Sequence, residues 1–471
     1  MENIHLVYPE IFISLSIMLI LMIGVFKTKS SKLVYSLSIL VLFVSAGLII
    51  NSPINQEIYL FNNSYKIDSL SHFMKMVTLI SGIFVLSSSY NYLKIENINK
   101  IEYPILILCS MLGMLVMISS NDLIVFYIGL ELQSLALYVL AAFNTNKLQS
   151  SEAGLKYFVL SALSSGLLLY GCSLVYGFSE STNFNLISEK IILSQYGNVF
   201  GIVFILTGLA FKISAVPFHV WAPDVYEGSP TSVSLFFAVV PKVAALTVFI
   251  RFLYVPFLSL IDQWQIIIIF LSLASMIFGA IAAIGQKNLK RLIAYSSIGH
   301  MGYALAGLAV GTNSGIHSSI TYICIYVIMN LGIFSCLLML RRDNKFYDNI
   351  EDLSGLSKNH PIISLCLLIV LFSLAGIPPL AGFFAKFYIF ISVIEQSMYF
   401  LAIVGLISTV ISAFYYLKII KIIYFDEAKE KFDQENYIGL KITLALSTII
   451  VLMYFIYPSW LINVISNINI I

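Results

Sequence analysis

The chain is expected to be an all-α integral membrane protein of about fourteen transmembrane helices, built around two inverted five-helix repeats. Three observations lead there. Only 11% of its 471 residues are charged and 59% are hydrophobic, whereas a soluble domain carries about 25% charged residues. Apolar runs of about 17–25 residues, the length that spans a bilayer, recur along the whole chain. The basic residues between those runs fall heavily on one side.

Bounded by charges or Gly, Pro and Asn turns, the runs place helices at 5–26, 33–50, 68–90, 104–120, 122–143, 152–177, 198–221, 228–252, 262–285, 289–311, 314–340, 361–393, 399–423 and 437–466. The first is a retained helix. Glu2, His5 and Glu10 stand where a signal peptide has a basic region, and no small-residue cleavage site follows. The shortest connections, Ser119-Ser120-Asn121 and Thr312-Asn313-Ser314, decide the count. With fourteen helices, eighteen loop Lys and Arg, among them Lys29, Lys345 and Lys429, fall opposite the termini. Three (Lys66, Lys190 and Arg251) fall on the terminal side. By the positive-inside rule both termini face the periplasm or intermembrane space. The polytopic domain then divides into three N-terminal helices (1–103), a first repeat (104–252), a second repeat (262–423) and a final helix (437–466). Five-helix repeats are inverted, because five is odd.

Several functions are excluded. A net charge of +2 without a run of five like charges gives no nucleic-acid surface. Cys109, Cys172, Cys324, Cys336 and Cys366 lie singly in apolar runs, which indicates neither disulfides nor a metal or iron–sulfur site. Walker A and GxGxxG motifs are missing. The chain is expected to bind no cofactor of its own.

Five basic residues remain inside the spans: Lys75, Lys156, Lys212, Lys242 and Lys386. An ionisable group at bilayer depth costs several kcal/mol and marks a functional site by default. Glu131 is about ten residues into the fifth helix, roughly 14 Å deep. It is the only acidic residue so placed. Asp68, Asp122, Glu152 and Glu395 sit at helix ends, where snorkelling explains them. Lys212 and Lys242 fall at similar depth in antiparallel helices and are positioned to face each other, Lys156 is nearer the inner side, and Lys386 comes late in the twelfth helix. Lys75, with His72 in the first two turns of its helix, reads as an interfacial anchor. A buried lysine near a carboxylate can exchange a proton near neutral pH, as a relay requires.

Two helices look deliberately broken. FKISAVPFHVWAPDVYEGSP puts Pro217, His219 and Pro223 just after Lys212, and SLAGIPPLAGFFAKF puts Gly376, Pro378, Pro379 and Gly382 just before Lys386. Proline frees backbone groups that a membrane tolerates beside protein or a water-lined cavity. Interrupted segments in matching halves point to an ion path. A weak internal match aligns LIVFYIGLELQSLAL with LIAYSSIGHMGYAL. One register sets Glu131 against His300, the other against Met301, so His300 joins the relay candidates. His219 and His317 lie nearer helix ends, with a side chain whose ordinary pKa suits proton transfer.

EAGLKYFVLSALSSGLLLYGCSLVYG, FKISAVPFHVWAPDVYEGSPTSVSLFFAVVPKVAAL, KRLIAYSSIGHMGYAL and GIPPLAGFFAKFYIF resemble the antiporter-like subunits of respiratory complex I. PDVYEGSP with SSEAGLKYF resembles their N-type (chain 2) branch. The resemblance covers essentially the whole chain. It implies a Glu131–Lys212 pair, a central Lys242, a terminal Lys386 and an additional Lys156 on the sixth helix. It also implies other membrane subunits of complex I as partners, with NAD, FMN, iron–sulfur clusters and quinone held by partner subunits. The alternatives are an Mrp-type Na⁺/H⁺ antiporter subunit, which shares these helices, and a structural scaffold, which has no use for buried lysines. Ile-, Asn- and Lys-rich usage fits an AT-rich bacterial or mitochondrial genome.

Overall fold

A computed structural model describes residues 3–27, 30–51, 57–191, 196–343, 345–428, 431–433 and 437–468, with only the backbone at Tyr196. Glu2, Lys29, Asn55 and Lys429 lie outside the described residues. Among those described, nine helices are long and apolar enough to cross a membrane and four apolar helices are shorter. Leu289–Ala309, made polar by its Ser, Gly and His, completes fourteen spans. Both short connections are real breaks: Asp122 caps the fifth span (Leu123–Ala141) and Thr312 caps the eleventh (Asn313–Leu337). The sixth span starts earlier than its hydropathy indicates, running Leu148–Ser179. The fold is otherwise as expected, with two short loop hairpins added, Ile58–Leu60 with Tyr65–Ile67 and Arg341–Arg342 with Lys345–Phe346.

Both proline-rich spans are interrupted. The seventh is Tyr196–Ile213 followed by Trp221–Gly228, and the twelfth is Pro361–Ala375 followed by Ala381–Glu395. The first half of the seventh ends with Ser214 at φ +60°, and that of the twelfth with Gly376 at φ +90°. A left-handed residue turns the chain off the helix axis and leaves the last carbonyls free for other donors.

The repeats are visible in the hydrogen bonds. Leu123 N donates to Thr182 O and Phe184 N to Asn121 O, both at 2.9 Å. The same exchange recurs between Leu289 N and Asp348 O (2.7 Å) and between Ile350 N and Lys287 O (2.9 Å), each residue 166 positions further on. The first pair of bonds joins loops after even-numbered spans, the second joins loops after odd-numbered ones. One motif therefore closes opposite faces of the bundle, as inversion demands. Close backbone contacts repeat it. A Cβ on Gly113 would stand 2.6 Å from Gly129 O, and one on Gly279 would stand 2.5 Å from Gly299 N. Counted from the helix caps Glu131 corresponds to Ser297; counted from Gly129 and Gly299 it corresponds to Met301. The two registers differ by one turn and share a face. Neither sets Glu131 on His300, which corrects the first alignment.

The expected surface anchor at Lys75 is also corrected. Its side chain is buried, 2.6 Å from Glu10 Oε1 and 2.9 Å from the Tyr65 hydroxyl. This ion pair joins the first and third spans. Asp68 is not snorkelling either. It caps the third span (Ser69–Ile95) through Ser71 N and receives both Nη groups of Arg251 at 3.0 and 2.7 Å. Burial alone would raise the Asp68 carboxyl, but Arg251 and Lys66 outweigh it and hold the group down at about 2. Its contribution to stability is thus present above the ordinary carboxylate range and lost progressively as pH falls from that range through about 2. Arg251→Ala removes the bidentate partner and leaves that buried carboxylate to Lys66, 3.7 Å away, and the Ser71 amide, at a cost of up to about 3–5 kcal/mol. The expected result is a lower yield of assembled protein in mild detergent, read on a native gel, with Asp68→Asn partly restoring it in the double variant.

Candidate proton path

Three lysines are buried along the centre of the bundle, and the local backbone explains how each is held. Lys212 ends the first half of the seventh span. Its Nζ donates to Ser134 Oγ at 2.7 Å and Ser161 Oγ at 2.8 Å, hydroxyls of the fifth and sixth spans. Glu131 is half-buried one turn before Ser134 and accepts a hydrogen bond from Ser165 Oγ. The anticipated Glu131–Lys212 pair is therefore in the same neighbourhood with its members on separate serines.

Lys242 is 1% exposed. Its ammonium donates to Ile213 O at 2.6 Å and Ser214 Oγ at 2.5 Å, at the break itself. Lys386 repeats the arrangement in the other half. Its Nζ donates to Leu374 O and Ala375 O, both at 3.2 Å, at the end of the twelfth span's first segment. Carbonyls at a helix C-terminus carry the negative end of the peptide dipoles, so each break offers partial negative charge to a cation. Lys212 and Lys242 take different partners, Lys212 the serines of the fifth and sixth spans and Lys242 the two residues that directly follow Lys212.

His300 is buried and joins three spans. Its Nδ1 is 2.5 Å from the Tyr322 hydroxyl and its Nε2 3.1 Å from that of Tyr416, which is also 2.5 Å from Ser296 Oγ. His300, Ser296, Tyr303 and Lys386 line a cavity of about 10 Å³, close to the volume of one water. Lys386 Nζ stands 5.1 Å from the centre of the Tyr303 ring.

The other candidates lie apart. Lys156 is exposed near the start of the sixth span, 2.8 Å from Glu152 and 2.9 Å from Asp224. Arg291 extends that network to Asp224 and Glu227, each at 2.8 Å. His219 sits in the break with its ring against Phe278, 4.5 Å between centres, and with a buried Nδ1 lacking a hydrogen-bond partner. His317 Nε2 contacts Ile468 O at 2.7 Å near the C-terminus. Sequence reasoning passed over Ser134, Ser161, Ser165, Tyr322 and Tyr416, which carry the polar links between the charged groups. Among the described residues no three His, Cys, Asp or Glu come together as a metal site.

A span broken at proline that hands its carbonyls to a buried lysine, twice in inverted halves, is the architecture of an antiporter-like membrane subunit. Residues 120–412 match the family model described as "NADH:quinone oxidoreductase/Mrp antiporter, TM". NADH-quinone oxidoreductase subunit N of Pelagibacter ubique is 70% identical over 471 residues, all of both chains. Subunit N of Parvibaculum lavamentivorans is 48% identical, across 96% of this chain and 94% of its own. The chain belongs to the NADH-quinone oxidoreductase subunit N family. A chain in the structure of respiratory complex I from Thermus thermophilus with bound aureothin superposes with TM-score 0.85 at 26% identity, covering 98% of this chain and 100% of that one. The fold is shared with a chain of the Mrp complex from Dietzia (TM-score 0.84, 17% identity, 99% and 97% covered).

Proposed function

We propose that this chain carries protons across the membrane as the N-type subunit of NADH:quinone oxidoreductase, driven by quinone reduction in other subunits of that complex. The observation that carries the reading is the repeated device of a buried lysine ammonium on the carbonyls of a broken helix, at Lys242 and at Lys386. Glu131 and Lys212 form the switchable pair ahead of Lys242, and His300 links the centre to Lys386. Lys156 gathers protons at the inner mouth and His219 lines the break. NAD, FMN, iron–sulfur clusters and quinone are bound by partner subunits, and the isolated chain catalyses no redox step.

Purification in mild detergent is expected to recover the chain together with a quinone-reducing arm. Recovery solely within an assembly that exchanges Na⁺ for H⁺ would assign it to the Mrp type instead. Both termini face the outer side in this reading. Single cysteines replacing the exposed Lys345 or Lys421 should react with an impermeant reagent from the inner side alone, and one replacing the exposed Asn62 from the outer side alone. Labelling of Asn62 and Lys345 from the same face overturns the orientation.

A further inference from the structure

Serines in the spans of this chain mostly satisfy themselves. Ser38, Ser45, Ser89, Ser179 and Ser335 each donate to the carbonyl four residues earlier, the usual back-bond of a hydroxyl in a helix. Ser161 and Ser165 do otherwise. They are buried one turn apart on the sixth span, and so share a face of it. Ser165 gives its proton to Glu131 Oε1. Ser161 accepts from Lys212 Nζ at 2.8 Å and from the Tyr138 hydroxyl at 2.6 Å. On the facing helix Ser134 donates to Leu130 O at 2.7 Å, which leaves its oxygen to accept from Lys212 at 2.7 Å.

Opposite charges at low dielectric attract strongly. A carboxylate and an ammonium stay apart there when each has its own hydrogen-bond partners and those partners are fixed at a spacing the two charges do not share. One helical turn of the sixth span sets that spacing.

We propose that Ser161 and Ser165 are positioning residues that hold the Glu131–Lys212 pair open, Ser165 keeping the carboxylate and Ser161, with Ser134, keeping the ammonium. Closing the pair exchanges the Ser165 and Ser161 bonds for a direct carboxylate–ammonium contact; opening restores them. Without the Ser165 hydroxyl the carboxylate has no competing partner, and the closed pair becomes the resting state. A pair that stays closed cannot alternate. The inference rests on the reading of Glu131 and Lys212 as relay groups and adds what separates them.

The test uses the assembled complex in membrane vesicles, with assembly checked on a native gel and proton uptake and quinone reduction measured together. Ser165→Ala is expected to lower both by at least about tenfold, the scale of one lost hydrogen bond to a charged group. Ser165→Thr, which keeps the hydroxyl, should restore them. On a Glu131→Asp background, whose shorter carboxylate gives up the Ser165 bond, Ser165→Ala should add almost nothing, whereas a mere packing defect would multiply through. If Ser165→Ala does not assemble, Ser165→Cys is read the same way. Wild-type coupling in Ser165→Ala, or an equal loss on both backgrounds, overturns the spacer while leaving the relay intact. Full pumping by Glu131→Gln overturns the relay and the spacer together.

Discussion

Glu131→Gln is expected to lower coupled proton uptake and quinone reduction by at least about tenfold, each factor of ten being about 1.4 kcal/mol of barrier. Glutamine still accepts the Ser165 hydroxyl, so the local packing survives. What disappears is the one carboxylate that acts on Lys212 among the described residues, and with it the charge that lets the pair alternate between open and closed. Oxidation of NADH with an artificial hydrophilic acceptor should persist, since that step is carried by other subunits in our reading. Glu131→Asp should be milder because it keeps the charge, and Lys421→Ala, at an exposed position, should be near neutral. The measurement is proton uptake into vesicles containing complex verified by native gel. A Glu131→Gln complex that pumps at the wild-type rate removes Glu131 from the relay.

Lys242 should be equally sensitive, and arginine is the informative replacement. Lys242→Met keeps the bulk of a side chain that is almost wholly buried, but leaves Ser214 Oγ without that donor and Ile213 O with the Ser214 hydroxyl alone. Unsatisfied acceptors cost about 1–3 kcal/mol, partly offset because no charge is then buried. The complex should assemble and proton transfer should fall at least about tenfold. Lys242→Arg restores a cation and its donors, yet a guanidinium holds its proton at every physiological pH. If Lys242 merely neutralised the break, arginine would rescue it. A relay predicts no rescue, so substantial pumping by Lys242→Arg would show that Lys242 need not release its proton.

Much of this could be read before any coordinates. Apolar length located the fourteen spans because a bilayer imposes its thickness on sequence, and the Pro217 and Pro378 regions declared their breaks because proline cannot continue a ladder. Lysines at depth were conspicuous for the same reason that they are costly. Their partners were not. Ser161 and Ser165 have the same composition signal as Ser38 or Ser45, which back-bond to their own helix. Lys75 looked interfacial because it is within the first two turns of its helix, and depth there depends on how neighbouring helices are staggered. The repeat register was elusive because the matched dipeptides allow two alignments one residue apart, whereas the loop hydrogen bonds set Leu123 against Leu289 and the glycine contacts set Gly129 against Gly299.

The acceptors beneath Lys242 and Lys386 have a directional consequence. Each ammonium commits two N–H groups to the break, to Ile213 O and Ser214 Oγ in one case and to Leu374 O and Ala375 O in the other. A neutral amine has two N–H groups and one lone pair. If both bonds persist when the third proton leaves, the lone pair must point away from the break, and backbone carbonyls cannot take up a proton in its place. Protons then arrive and depart on the same side of each lysine, and passing one onward requires the side chain to swing or a second acceptor to approach from that side. The two broken helices thus act as one-sided sockets, and inversion of the repeats turns those sockets toward opposite faces of the membrane.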